Sequence, residues 1–388
     1  MGYLIVVLGA LLLRVGFAVH GAGMSRSKNS AGAVMRQLCD VCVAVLAFWA
    51  VGFAIVASGN SFLGLDWRSL FGSSDAGLTA AVLIATGIVP GVLAERARFW
   101  PALATSALLA ALVIPVGALW MGGWLGKMGM HDIGGAAWLH LPGALCAAVG
   151  AYFVGARTGK FNRDGSSTAI PGHSLPLAGI GVVFLLAGFT IFVGRSETLV
   201  RSETAAMNVL LAAAAGGMAS VMFSQFRFYK PDIHLTYAGI VGGMVAISAG
   251  ADVVAGIGAV TIGAVAGVIV PYCILMLDVK ARIDDPSGGI SIHGVGAVWG
   301  LVATPILARG ASIGERFKHL GTHLLAIVAI GVLTVGFSVG LWMLLKRVTK
   351  LRVSEADEFD GLDLAEHDIG AYPDFQQTMI KSYHLREV

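Results

Sequence analysis

The sequence predicts an all-α integral membrane protein of eleven transmembrane helices, built as two related halves of five and a final helix. Three observations carry that expectation. Of 388 residues, 56% are hydrophobic and only 13% are charged, about half the ~25% charge of soluble domains. The hydropathy resolves into eleven apolar runs, each near the ~20 residues that cross ~30 Å of hydrocarbon. A short pattern also recurs half a chain apart: a Gly-Gly pair, four or five residues to a histidine, then x-x-Gly-Ala. It occurs at His140 with Gly143-Ala144 and at His293 with Gly296-Ala297.

The spans are expected at 2–20, 37–58, 77–94, 99–121, 134–155, 175–194, 204–223, 235–251, 256–277, 290–308 and 319–346. Arg14 interrupts the first, and no basic stretch precedes it, so no signal peptide is expected. Spans eight and nine are parted by little polar sequence beyond Asp252. Odd-numbered loops carry Arg26, Lys28, Arg36, Arg96, Arg98, Arg157, Lys160, Arg163, Arg227, Lys230, Lys280 and Arg282, and the tail opens on Lys346, Arg347, Lys350 and Arg352. Even-numbered loops carry fewer cations, so the odd loops and the C-terminus are expected in the cytoplasm and the N-terminus outside the cell membrane. Residues 1–349 then form a transmembrane pore domain and 350–388 a cytoplasmic tail.

Glycine, with 53 residues, suits close helix approach in lipid. GIGAVTIGAVAG (256–267) has the look of a phosphate loop without its Gly-Lys-Ser/Thr ending, which points to helix packing. Cys39, Cys42, Cys146 and Cys273 all fall in apolar spans and read as packing thiols. Cys39-x-x-Cys42 has no second ligand pair, so no metal is expected. No basic patch with interleaved aromatics suggests nucleic acid. No nucleophile elbow, HExxH or paired carboxylates suggest an enzyme, and no cofactor motif is present.

His140 and His293 are the residues that carry chemistry. Ionisable groups at bilayer depth are costly and mark substrate or proton paths. With the halves inverted, the fifth and tenth spans face each other across a pseudo-twofold axis. The imidazoles then share a hydrogen bond, one donating and one accepting, and pass single protons. Asp132 lies eight residues before His140, two helical turns away on the same face. It reads equally as a carboxylate that stabilises an entering cation and as an N-terminal cap. Trp120 reads as a cation–π face or as an interfacial anchor.

These residues resemble the Amt/Rh ammonium transporter family along nearly the whole chain. MSRSKN (24–29), AERARF (94–99), DDPSGGISIHGVGAVWG (284–300) and LRVSEADEFDGLDLAEHDIGAY (351–372) are similar to the family's first loop, third-span end, tenth-span motif and tail, and Trp120, Asp132 and His140 stand at its spacing. The resemblance implies a homotrimer with one pore per protomer. It assigns Trp120 and Ser196 to an ammonium-recruitment site, Asp132 to its acidic neighbour, and His140 and His293 to the twin-histidine pair.

The chain departs from the family at its entrance. Gly77 and Ala81 stand where the third span offers phenylalanines, leaving Phe192 as the retained half of a gate. Val193 replaces an asparagine, and Arg195 adjoins Ser196. Phe375, Met379 and Tyr383 recur every four residues near the C-terminus. That stripe reads either as the start of a coupling helix to a signalling domain or as a plain chain end. The expected function is ammonium recognition, leaning toward a sensor or transceptor with impaired conduction; the alternative is a conducting transporter. The acidic tail is expected to dock on the basic loops at Arg157, Lys160, Arg163, Arg227 and Lys230.

Overall fold

A computed structural model describes residues 2–59, 62–72, 74–194 and 199–372. Eleven helices correspond to the expected spans: α1 (Gly2–Met24), α2 (Ser27–Ala57), α3 (Ala76–Val92), α4 (Phe99–Lys127), α5 (Ala136–Val154), α6 (Leu175–Val193), α7 (Leu199–Phe228), α8 (Ile233–Ile247), α9 (Gly256–Ala281), α10 (Ile290–Leu307) and α11 (Ile313–Val348). Among the described residues, nine are long and apolar enough to cross a membrane; α3 and α8 are shorter apolar helices. Two small helices follow in the tail, α12 (Glu355–Asp360) and α13 (Leu362–His367).

Boundaries differ from the hydropathy reading for local reasons. Helix α11 begins at Ile313, not 319, because Ser312 and Glu315 form a capping box there. Helix α8 begins after Asp232, whose side chain accepts from Leu235 N at 2.8 Å, and ends at Ile247. Ser248 lies beyond that end and lends its carbonyl to Gly134 N at 2.8 Å. Arg14 does not break α1. Its guanidinium pairs with Asp40 at 2.8 Å and donates to the Gln37 and Leu83 carbonyls at 2.6 and 3.2 Å. Opposite charges on α1 and α2 thereby satisfy each other inside the bundle.

Helix α1 packs along α6, and α7 packs against α8 and α9. The 256–267 segment lies inside α9, and its glycines serve packing. A Cβ at Gly263 would stand 2.2 Å from the Ala212 carbonyl, and one at Gly267 would stand 2.1 Å from that of Gly216. Backbones meet there at a distance that only glycine permits.

The tail folds back onto the bundle. Arg98 N donates to Leu351 O at 3.0 Å and Val353 N to Arg96 O at 3.1 Å, joining the tail to the α3–α4 turn. Helix α13 exchanges caps with α2: Asp363 accepts from Ala31 N at 2.9 Å and Gly32 N at 2.7 Å, while Asn29 accepts from Leu362 N at 2.8 Å. Arg36 pairs with Glu366 at 2.6 Å. Glu358 accepts from Thr158 N at 2.6 Å and pairs with Arg352 at 2.6 Å. The tail therefore docks, and where it meets the expected loop at Arg157 and Lys160 it bonds to the Thr158 backbone and not to the loop's cations. Arg157 is already held by Asp284 at 2.8 Å and Glu95 at 3.3 Å, and Lys160 by Asp278 at 2.8 Å.

Candidate functional site

Two helices deliver the histidines by the same device. Helix α5 opens with a π-helical turn, Ala136–His140, and α10 with another, Ile290–Val295. A carboxylate caps each one. Asp132 accepts from Ala136 N and Ala137 N, both at 2.7 Å. Asp285 accepts from Gly289 N at 3.1 Å and Ile290 N at 2.7 Å. Each aspartate precedes its histidine by eight residues, at 132 to 140 and 285 to 293. The two halves thus share a capped π turn that carries an imidazole, which extends the repeat that the Gly-Gly pattern first marks. Burial raises both caps, Asp132 and Asp285, to about 6, against the pull of the backbone N–H groups they hold.

His140 and His293 meet at 3.1 Å through their Nδ1 atoms, with ring planes only 12° apart. Both are buried, at 1% and 5% exposure. One Nδ1 must donate and the other accept, since two protonated or two bare nitrogens cannot bond. Phe189 of α6 packs 5.4 Å from the His140 ring and Phe17 of α1 packs 5.8 Å from His293. The imidazole pair is thus enclosed between aromatic rings, and each neutral imidazole offers one donor and one acceptor nitrogen.

Trp120 lies near the end of α4, at 6% exposure. Its indole N–H donates to the Phe62 carbonyl at 2.6 Å, and the Phe62 ring stacks on it at 5.5 Å. Trp124 stands 5.7 Å away on the other side. Phe62, in the loop between α2 and α3, is 65% exposed. It is an aromatic neighbour that hydropathy and spacing give no reason to select. Ala81 is buried in α3, Gly77 is half-buried, and Phe192 is buried in α6. Asp132 sits just before α5 with both oxygens engaged as a cap, the second of its two sequence readings in geometric form. Ser196 and Arg195 lie outside the described residues, as do Phe375, Met379 and Tyr383.

A narrow cavity continues from the histidines toward the tail end of the bundle, lined by His293, His20, Gln37 and Ser287 among apolar residues. Sequence reasoning missed His20 and Gln37 here. The available signal was their occurrence as polar residues in otherwise apolar runs on α1 and α2. The four cysteines are free thiols; Cys146 accepts from Ser338 Oγ at 3.0 Å. Among the described residues, no three His, Cys, Asp or Glu gather in a way that could hold a metal ion.

Residues 2–372 match the profile of the Ammonium Transporter Family. Ammonium transporter Amt2 of Archaeoglobus fulgidus is 35% identical over 95% of this chain and 86% of its own length. The ammonium transporter of Bacillus subtilis is 30% identical over 94% and 95%. Among solved structures, a sensor Amt protein superposes with a TM-score of 0.88 at 29% identity, covering 95% of this chain and 98% of that one. Mep2 of Saccharomyces cerevisiae gives 0.79 at 25% identity over 90% and 86%.

Proposed function

Because the chain belongs to the ammonium transporter family, a family of membrane transport proteins, we propose that it recognises ammonium and reports its presence through the tail, with weak conduction. In this reading the protein is a homotrimer in the cell membrane, with the Trp120 end outside and the tail in the cytoplasm. Ammonium is recruited at Trp120, Ser196 and Asp132 and passes toward the twin histidines. Residues 350–388 form the output segment, which joins a partner or fused signalling domain.

The carrying observation is the placement of α2. Gln37 lines the cavity that continues from the histidine pair, and its neighbour Arg36 holds Glu366 of the tail at 2.6 Å. Adjacent residues thus carry the cavity wall and the tail contact. Movement of α2 on ligand binding is therefore felt at α13, and a ligand that prefers one position of α2 biases the other. The altered entrance fits the same reading. With Gly77 and Ala81 in place of phenylalanines, the gate keeps only Phe192, which changes the dewetting barrier.

A conducting transporter is the second reading. The twin-histidine contact at 3.1 Å favours it, since a pore that only senses has no need of a proton relay. Proteoliposomes separate the two when ammonium-driven current and ammonium binding are measured on one preparation. The sensor reading expects saturable binding with current far below that of a family transporter at equal protein density. Robust current sinks it and leaves the transporter.

A further inference from the structure

We infer that Gln37 and His20 form an inner ammonium site on the tail side of the twin histidines. The inference rests on the ammonium reading above and assigns that ion a second stop. The cavity holding these residues measures about 30 Å³. About 10–15 Å³ suffices for one water-sized molecule, so an ammonium ion fits.

Two of its polar lining residues, Gln37 and His20, have an acceptor free. Gln37 is 4% exposed, and its amide is oriented by an Nε2–H bond to the Gly87 carbonyl at 3.0 Å. Its backbone carbonyl is fixed by Arg14 at 2.6 Å. That leaves Oε1 buried, with no partner among the described residues. A buried acceptor without a donor is destabilising, and a donor in the cavity relieves it. His20 Nδ1 stands 3.1 Å from the Ala178 carbonyl. A carbonyl only accepts, so Nδ1 carries the hydrogen and Nε2 is left as a lone pair. His20 is 8% exposed and lines the same cavity.

Two residues with a free acceptor therefore line a space sized for one small molecule. Ammonium has four donor hydrogens and no lone pair, which matches such a wall; water brings two donors and ammonia three. The fixed scaffold sharpens the match. The buried Arg14–Asp40 pair and the Gly87 carbonyl orient the Gln37 side chain before any ligand arrives and tie it to its helix. Occupancy pulls on α2 one residue from the Arg36–Glu366 contact, which gives the proposed signal a physical start.

The test is calorimetric titration of the full chain in lipid nanodiscs with ammonium chloride, against a sodium chloride blank. His20→Phe and Gln37→Leu are each expected to bind one fewer ammonium per chain than the wild type. His20→Gln restores an acceptor and is expected to recover it, while Trp120→Ala weakens only the other step. A wild type that binds no ammonium sinks the function on which this site rests. Wild-type binding with unchanged number and affinity in His20→Phe and Gln37→Leu overturns the inner site alone. Loss in His20→Phe that His20→Gln fails to restore assigns the residue to packing and overturns it too.

Discussion

Asp363→Ala isolates the bond between tail and pore. The Asp363 carboxylate is 1% exposed and holds the Ala31 and Gly32 N–H groups near the start of α2, at 2.9 and 2.7 Å. Removing a helix cap of this kind costs about 1 kcal/mol. Loss of a buried negative charge at a helix N-terminus adds roughly 0.3–1 kcal/mol. The sum, about 1.5 kcal/mol, is close to a tenfold shift from docked to undocked tail. Hydrogen exchange in α13 and the first turn of α2 is therefore expected to quicken about tenfold, while α5 and α10 stay protected. Asp363→Asn keeps one acceptor and is expected to fall between. In the wild type, saturating ammonium should change protection in the same two segments. In Asp363→Ala, binding should persist while that change is lost. Unaltered exchange in the variant refutes the cap as the link. An ammonium response that survives undocking refutes α2 as the route.

Other expectations follow from single contacts. Phe62→Ala uncovers the Trp120 ring, ending a stack that contributes about 1 kcal/mol; ammonium binding should tighten about fivefold with a shift in tryptophan emission, and unchanged affinity counts against a cation site at that ring. Arg14→Met leaves Asp40 buried and unpaired, so thermal stability should fall by about 3–5 kcal/mol, while Arg14→Met with Asp40→Leu should recover most of it; equal loss in both shows that the ion pair is not the cause. Burial alone would raise Asp284, yet the Arg157 guanidinium holds it at about 2, below its ordinary 3.8. A depressed carboxyl contributes stability that is fully present above the ordinary value and lost as pH falls through about 2, on the order of 2 kcal/mol here. Melting of Asp284→Asn should accordingly be lower near pH 6 and less steep between pH 4 and 2, and parallel curves argue against the assignment.

The helices were legible because lipid demands long apolar runs, and the repeat because His140 and His293 stand in matching patterns. Their ends were less so. Hydropathy reports where the apolar stretch stops, whereas Ser312 and Asp232 decide where α11 and α8 begin. Asp132 reads from the sequence as a cap or a cation partner, and its counterpart Asp285 stands at the same eight-residue spacing. Phe62 was not legible, since its place on Trp120 depends on the path of a loop. The tail's acidity announced docking but could not choose the surface. Asp363 goes to backbone N–H groups, which leave no mark in composition, while the expected Arg157 and Lys160 are already held by Glu95, Asp284 and Asp278.

The Nδ1–Nδ1 contact at 3.1 Å has a consequence for direction. The backbone around it repeats from one half to the other, but the shared hydrogen belongs to one ring at a time. The ring that keeps it presents a bare Nε2, and the ring that accepts it must carry its own hydrogen on Nε2. The pair is therefore a small arrow, with a basic end and an acidic end, inside a backbone frame that repeats from half to half. A proton arriving at the basic end and leaving from the acidic one turns the arrow around. The next cannot follow from the same side until something resets it. Any proton relayed through such a pair would pass singly, and the pair would keep a record of its direction.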